Sequence, residues 1–141
     1  MAEALTLEIV TPERIAFKGV VQEVTIPGTE GEFGVLRGHT ALLAAVGEGE
    51  LSFQQEQGQG RVHFAVHQGY AEVTSALVTV LVECAERSDM INLDRARRAK
   101  ERAEEELRKF SQNDIACKKA QLALQRAVTR INVVKGGVSF T

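Results

Sequence analysis

Apolar and polar residues alternate along the first two thirds of the chain and then change to a rhythm of three to four. Leu5-Thr6-Leu7-Glu8-Ile9-Val10-Thr11 puts Leu5, Leu7 and Ile9 on one side, the pattern of a strand with one face in a core. Pro12-Glu13 breaks it, and 16–21 and 22–26 read as two further short strands. Pro27-Gly28-Thr29-Glu30-Gly31 is a turn cluster, and Gly34, Gly38, Gly47 and Gly49 punctuate the stretch after it. Gly47-Glu48-Gly49-Glu50-Leu51-Ser52-Phe53 reads as a turn opening into a strand, and strands are expected at 61–66, 70–74 and 77–82, with Gly58-Gln59-Gly60 as the turn before the first of these. Short strands separated by glycine turns, uninterrupted by any helical pattern, predict an antiparallel β-sandwich or barrel and argue against a parallel βαβ sheet.

Near residue 91 the period becomes helical. Asn92 is a suitable N-cap with Asp94 in the first turn, and no Gly or Pro occurs until past Phe110. Leu93, Ala96, Ala99, Ala103, Leu107 and Phe110 form one apolar stripe on a heavily charged helix. The pairs Arg97–Glu101, Lys100–Glu104, Arg102–Glu106 and Glu104–Arg108 have i,i+4 spacing, each contributing about 0.2–0.5 kcal/mol if formed on the surface. Ser111-Gln112-Asn113-Asp114 has the length and polarity of a hairpin loop, and a second helix is expected over 114–132. Its stripe is Ala116, Ala120, Ala123 and Ala127, with Leu124, Val128 and Ile131 on a neighbouring face. The fold class is therefore α+β: a β-sandwich over 1–86, a linker over 87–91, an antiparallel two-helix hairpin over 92–134 and a loose tail from about Val133, with 135–141 flexible. Alanine seams let helices approach closely but bury little apolar area, so the hairpin needs a second surface to dock on.

Charge sharpens this division. Residues 1–91 hold 5 Lys/Arg against 13 Asp/Glu, net −8, whereas 92–141 hold 12 against 6, net +6. Arg95, Arg97, Arg98 and Lys100 crowd the start of the first helix, where the macrodipole favours acids, and Lys118, Lys119, Arg126 and Arg130 lie on the second. Two readings stand: a solvated face, or a contact for an anion or an acidic protein. Nucleic acid fits poorly, because the basic arrays lack interleaved aromatics and the remainder is acidic. Cys84 and Cys117 form no CxxC pair and read as free thiols of a reducing compartment. No stretch reaches the roughly 18 apolar residues of a membrane span, and the N-terminus lacks a secretory pattern, so membrane association is expected to be indirect.

Catalytic chemistry is hard to assemble from this sequence. His63 and His67 are four apart in a strand reading, about 13 Å along the chain, which disfavours metal ligation by that pair. His39 lacks a Cys or acidic partner at ligand spacing, and HExxH, GxSxG and GxxxxGK[ST] are all missing. Residues 28–34 are glycine-rich but lack the lysine and helix of a phosphate cradle. No metal and no required cofactor is expected.

Taken in order, these segments resemble the epsilon subunit of bacterial F-type ATP synthase, called delta in mitochondria. Leu7-Glu8-Ile9-Val10-Thr11-Pro12 is similar to its first strand, Gly31-Glu32-Phe33-Gly34-Val35-Leu36-Arg37-Gly38-His39 to its glycine-rich loop, and Gln68-Gly69-Tyr70-Ala71-Glu72-Val73 to a later strand entry. The match continues through Val78-Thr79-Val80-Leu81, Ala85-Glu86-Arg87 and both helices. Arg37 stands where the family usually has proline, and Gln68 where it has a first glycine. The family's nucleotide motif corresponds to Ile91-Asn92-Leu93-Asp94-Arg95-Ala96, with Asn92 replacing an aspartate.

The resemblance implies a non-catalytic rotor subunit of the central stalk, peripheral on the cytoplasmic side of a bacterial inner membrane. The sandwich would bind the gamma subunit and rest on the c-ring, with Glu32 and His39 near those contacts. The hairpin would be mobile and, when extended toward the alpha and beta subunits, would block ATP hydrolysis through the basic face of Arg95, Arg97, Arg98, Lys100, Lys118 and Lys119. ATP is a candidate ligand, at Ile91, Asn92, Arg95, Arg126 and Arg130. Rival readings are a small enzyme, a free ATP sensor and a generic adaptor.

Overall fold

A computed structural model describes residues 5–56, 59–109 and 115–137. The described residues form nine strands, a single 3-10 turn and two helices. The strands are β1 (Leu5–Val10), β2 (Ile15–Gly28), β3 (Gly31–Leu36), β4 (Leu42–Val46), β5 (Gly49–Gln55), β6 (Arg61–Val66), β7 (Gly69–Val73), β8 (Leu77–Val82) and β9 (Ala85–Arg87). The 3-10 turn Ser88–Met90 leads into α1 (Leu93–Lys109), and α2 covers Ile115–Gly137.

The strands form one hydrogen-bonded path, β1-β8-β7-β4-β2-β5-β6-β9, with β3 paired to β2 and a further pairing of β1 with β2. The path folds over so that Leu5, Leu7 and Ile9 of β1 and Val78, Val80 and Val82 of β8 share one core with Ile26 of β2, Phe53 of β5 and Phe64 of β6. Alternation explains this directly, since β1 buries every second residue. Phe17, half-buried, sets its ring 4.4 Å from that of Phe53.

Four features differ from the sequence expectation. Segments 16–21 and 22–26 are a single strand, β2, whose register slips between Val21 and Glu23. This bulge lets one strand pair with β1 along its first half and with β5 and β3 along its second. The sheet is antiparallel except that β1 runs parallel to β8. β4 carries no alternation signal because Leu42 and Leu43 are exposed and Ala44 and Ala45 half-exposed, so apolar residues occupy both of its faces. Finally, α2 continues to Gly137 with Val133 fully buried, so the described part of the expected tail is helical. The predicted loop 111–114 and residues 138–141 lie outside the described residues.

Asn92 caps α1 as expected: its Oδ1 accepts the Arg95 amide at 3.0 Å and its carbonyl accepts the Ala96 amide at 3.0 Å. The helix seam is built from Ala96 and Ala103 against Cys117, Ala120, Ala127 and Ile131. Ala123, assigned to the seam by its spacing, is exposed. The heptad step from Ala120 to Ala127 turns the contact face one position away from it. α2 packs across β6 and the neighbouring β5, and seats the hairpin on the sandwich.

Candidate functional site

The hairpin seat is built from strand ends. Glu48 lies in the turn between β4 and β5, His67 comes just after β6, Glu83 and Cys84 connect β8 to β9, and Glu86 is on β9. Two backbone hydrogen bonds pin these segments together: the His67 amide donates to the Cys84 carbonyl at 3.1 Å and the Glu83 amide to the Gln68 carbonyl at 3.2 Å. Gly69 makes the approach possible, because a Cβ there would sit 1.9 Å from the Leu81 carbonyl oxygen.

His67 is 2% exposed. Its Nδ1 contacts Oε2 of Glu48, whose side chain is 6% exposed. A carboxylate accepts, so Nδ1 carries a proton and donates, and in the neutral imidazole the lone pair is then on Nε2. Among the described residues that Nε2 is buried without a hydrogen-bond partner. From α2, Arg126 places Nε 3.6 Å from Glu48 Oε1 and Nη2 3.4 Å from Glu83 Oε2. One turn on, Arg130 Nε donates to Glu86 Oε1 at 2.6 Å. Two arginines of the basic half thus meet three acids of the acidic half. The charge asymmetry, expected to serve foreign partners, is in part consumed within the chain. Burial pushes the Cys84 thiol pKa above its ordinary value, Glu86 adds to the rise, and the guanidinium groups of Arg130, Arg126 and Arg14 oppose it.

The residues predicted to hold a nucleotide are divided. Ile91, Asn92, Arg95 and Arg130 line a cavity of about 430 Å³ together with Glu86, Arg98 and Arg102. Arg126 is not among its lining residues; its guanidinium is turned to Glu48 and Glu83. Asn92 has its Oδ1 committed to the helix cap.

Glu32 and His39 are at opposite ends of β3, so the two predicted contact residues do not form one cluster. Glu32 is exposed beside the β2–β3 turn. His39 is half-buried and its Nδ1 lies 2.6 Å from the Thr40 carbonyl. Gly38 has φ of 89° and the His39 amide reaches the Leu36 carbonyl at 3.1 Å, the pattern of a type II turn, so Arg37 supports the turn without the usual proline.

Sequence reasoning missed an apolar row on the outer face of the sheet. Ala45, Tyr70, Leu81 and Val10 are consecutive cross-strand partners over β4, β7, β8 and β1. Tyr70 is 60% exposed, Leu81 51% and nearby Leu43 70%. Tyr70 and Leu81 line a groove of about 780 Å³ together with Glu48 and Glu83, the acids that hold Arg126. The exposed half of an alternating strand is normally polar, and Tyr70 and Leu81 in that phase were the available signal.

Of the predicted basic face, Arg95, Arg97, Arg98, Lys118 and Lys119 are exposed and Lys100 is half-exposed. The i,i+4 ion pairs expected along α1 are not closed among the described residues. His63 and His67 are on separate partners, His63 Nδ1 being 3.2 Å from Glu50 Oε2.

A β-sandwich followed by a helical pair is the domain order of a known protein family. Residues 4–88 match the family model for the beta-sandwich domain of the ATP synthase delta/epsilon chain, and residues 89–135 match that for its long alpha-helix domain. The chain belongs to the ATP synthase delta/epsilon family. It is 45% identical over 133 residues to the ATP synthase epsilon chain of Geotalea uraniireducens, covering 94% of this chain and 95% of the relative. It is 46% identical over 133 residues to that of Trichlorobacter lovleyi, with the same coverage. Among solved structures, a chain in the cryo-EM structure of the Euglena gracilis mitochondrial ATP synthase, OSCP/F1/c-ring, shares the fold with a TM-score of 0.80 at 22% identity, over 90% of this chain and 79% of that one.

Proposed function

We propose that the chain is a non-catalytic rotor subunit of the ATP synthase central stalk, which couples the gamma subunit to the c-ring and restrains ATP hydrolysis through its helical hairpin. The reading rests above all on how the hairpin is held. Half of its buried side chains are alanines, and its ion pairs to the sandwich among the described residues are Arg126 and Arg130 against Glu48, Glu83 and Glu86. Arg130 and Glu86 are about 30% exposed, a regime in which an ion pair is worth about 0.2–1 kcal/mol. Contacts of that size can be exchanged for others along a neighbouring subunit at little net cost, which makes a two-position element. Released, the hairpin presents Arg95, Arg97, Arg98, Lys100, Lys118 and Lys119, plus the freed Arg126 and Arg130, to acidic segments of the alpha and beta subunits.

The apolar row of Ala45, Tyr70, Leu81 and Val10, with exposed Leu43 nearby, supports a docking face for gamma. A subunit seated in the adjoining groove would touch Glu48 and Glu83, and so sense whether Arg126 is engaged. Exposed Glu32 at the β2–β3 turn is suited to the polar loops of a c-ring. No described helix is long and apolar enough to cross a membrane, in keeping with attachment through the complex on the cytoplasmic side of a bacterial inner membrane. Deleting residues 92–141 tests the brake: assembly with gamma is expected to persist and ATP hydrolysis by the complex to rise. Unchanged hydrolysis sinks it.

A second reading, ATP sensing, is favoured by one observation: Arg95, Arg98, Arg102 and Arg130 face a single cavity. Bound phosphates would draw Arg130 toward α1 and bridge the two helices. Titration of the chain with ATP and Mg²⁺ tests it, with saturable binding lost in Arg95→Ala as the expected result.

A further inference from the structure

We propose that His67, Cys84 and Glu86 form a binding site for a divalent transition-metal ion of borderline softness, best matched by Zn²⁺. Their ligand atoms, an imidazole nitrogen, a thiol sulfur and a carboxylate oxygen, all lie within 4.8 Å of one another. Three protein ligands of N, S and O type, with a fourth position open to water, are a donor set that Zn²⁺ accepts and that Mg²⁺ and Ca²⁺ do not.

The imidazole is prepared for this role. Glu48 accepts the Nδ1–H hydrogen bond of His67, the carboxylate–histidine arrangement that fixes the tautomer and ring orientation behind a metal ligand. The opposite nitrogen, Nε2, is buried and unpartnered among the described residues, and stands 4.0 Å from Glu86 Oε1, beyond hydrogen-bond range. A buried nitrogen left without a partner is a cost that packing alone does not explain. Backbone pairing of His67 with Cys84 and of β6 with β9 holds the three residues in one frame. Coordination exchanges ion-bound water for the three ligands, and the Cys84 Sγ–H proton is released to solvent. No oxidation state changes.

Glu86 is shared. Arg130 Nε donates to its Oε1 at 2.6 Å, so metal and guanidinium draw on the same carboxylate. The site goes beyond the rotor reading and does not depend on it.

The test uses the reduced full chain, freed of metal by chelation, titrated with Zn²⁺ and with Co²⁺ as a spectroscopic probe. One ion per chain is expected, with the sulfur-to-cobalt charge-transfer band that only thiolate ligation produces. The band should survive Cys117→Ser, vanish in Cys84→Ser, and Glu86→Gln should weaken binding about tenfold or more. Because His67 is buried and its variants can fail to fold, Cys84→Ser and Glu86→Gln carry the test, each checked for an unchanged circular dichroism spectrum. Arg130→Gln, by freeing Glu86, should bind Zn²⁺ several-fold more tightly. A wild-type chain without the cobalt band, or a band that persists in Cys84→Ser, overturns the site. Weaker Zn²⁺ binding in Arg130→Gln overturns the sharing of Glu86.

Discussion

The sandwich and the hairpin of this chain are stabilised by different means. The sandwich buries Phe53, Leu5, Leu7, Ile9, Ile26 and Leu51 completely, side chains that each contribute about 1.5–3 kcal/mol by leaving water. Of the hairpin's buried residues, four are alanines, and its grip on the sandwich depends on two arginines. A core of large branched and aromatic side chains has one good arrangement. A seam of mostly small side chains with ion pairs at its edge, on which the proposed two-position hairpin rests, is less tied to one arrangement, because small side chains fit many partners and charges accept any opposite charge. The difference teaches that side-chain size sets how firmly each part of one short chain is tied to a single arrangement.

This contrast can be broken at several points. Phe53→Ala should remove about 3–5 kcal/mol from the sandwich, read as a lowered urea midpoint, while Leu124→Ala in α2 should change it by less than about 1 kcal/mol. A cost for Leu124→Ala as large as that for Phe53→Ala would erase the distinction. Arg126→Ala leaves the Glu48 carboxylate buried without its cation. It should cost about 1–3 kcal/mol of docking, seen as faster amide exchange in α2 with β1 and β8 still protected. Raising NaCl to about 1 M should loosen α2 in the same assay by a smaller amount, since the latch is partly exposed. Equal protection at all salt concentrations would mean that packing, not charge, holds the helices.

The subtlest effect concerns Cys84. Its folded-state pKa is raised by burial, so the folded thiol keeps its proton at a pH where the unfolded thiol has lost it. Any stability tied to that proton is fully present below the unfolded value and is lost as pH rises through the raised one. In a Cys117→Ser background at about pH 8, iodoacetamide should therefore label the folded chain more slowly than the urea-unfolded chain. Arg126→Ala, by undocking α2 and admitting water, should close much of that gap.

Much of this architecture was legible. The alternation of Leu5, Leu7 and Ile9, the N-cap at Asn92 and the change of period are local properties, and local signals survive folding. β4 was invisible because Leu42 and Leu43 are exposed, so no alternation of apolar and polar positions marks the strand. The latch was illegible for another reason. Glu48, Glu83 and Glu86 look like ordinary surface acids until strand ends far apart in sequence are brought beneath α2. The arginines were visible, but their acidic partners were not: Arg126 is turned to Glu48 and Glu83, outside the cavity lined by Ile91, Asn92, Arg95 and Arg130. His67 was set aside with His63 as an unsuitable metal pair. The pair is indeed unsuitable, but the relevant neighbours of His67 are Cys84 and Glu86, across β6 and β9.

The parallel pairing of β1 with β8 has a consequence for biogenesis. β1 cannot complete its pairing until Leu81 has been synthesised, so the sandwich closes late, as a unit. Both helices are translated after that moment. Each newly made hairpin therefore emerges beside a finished platform, and its earliest resting place is on its own chain.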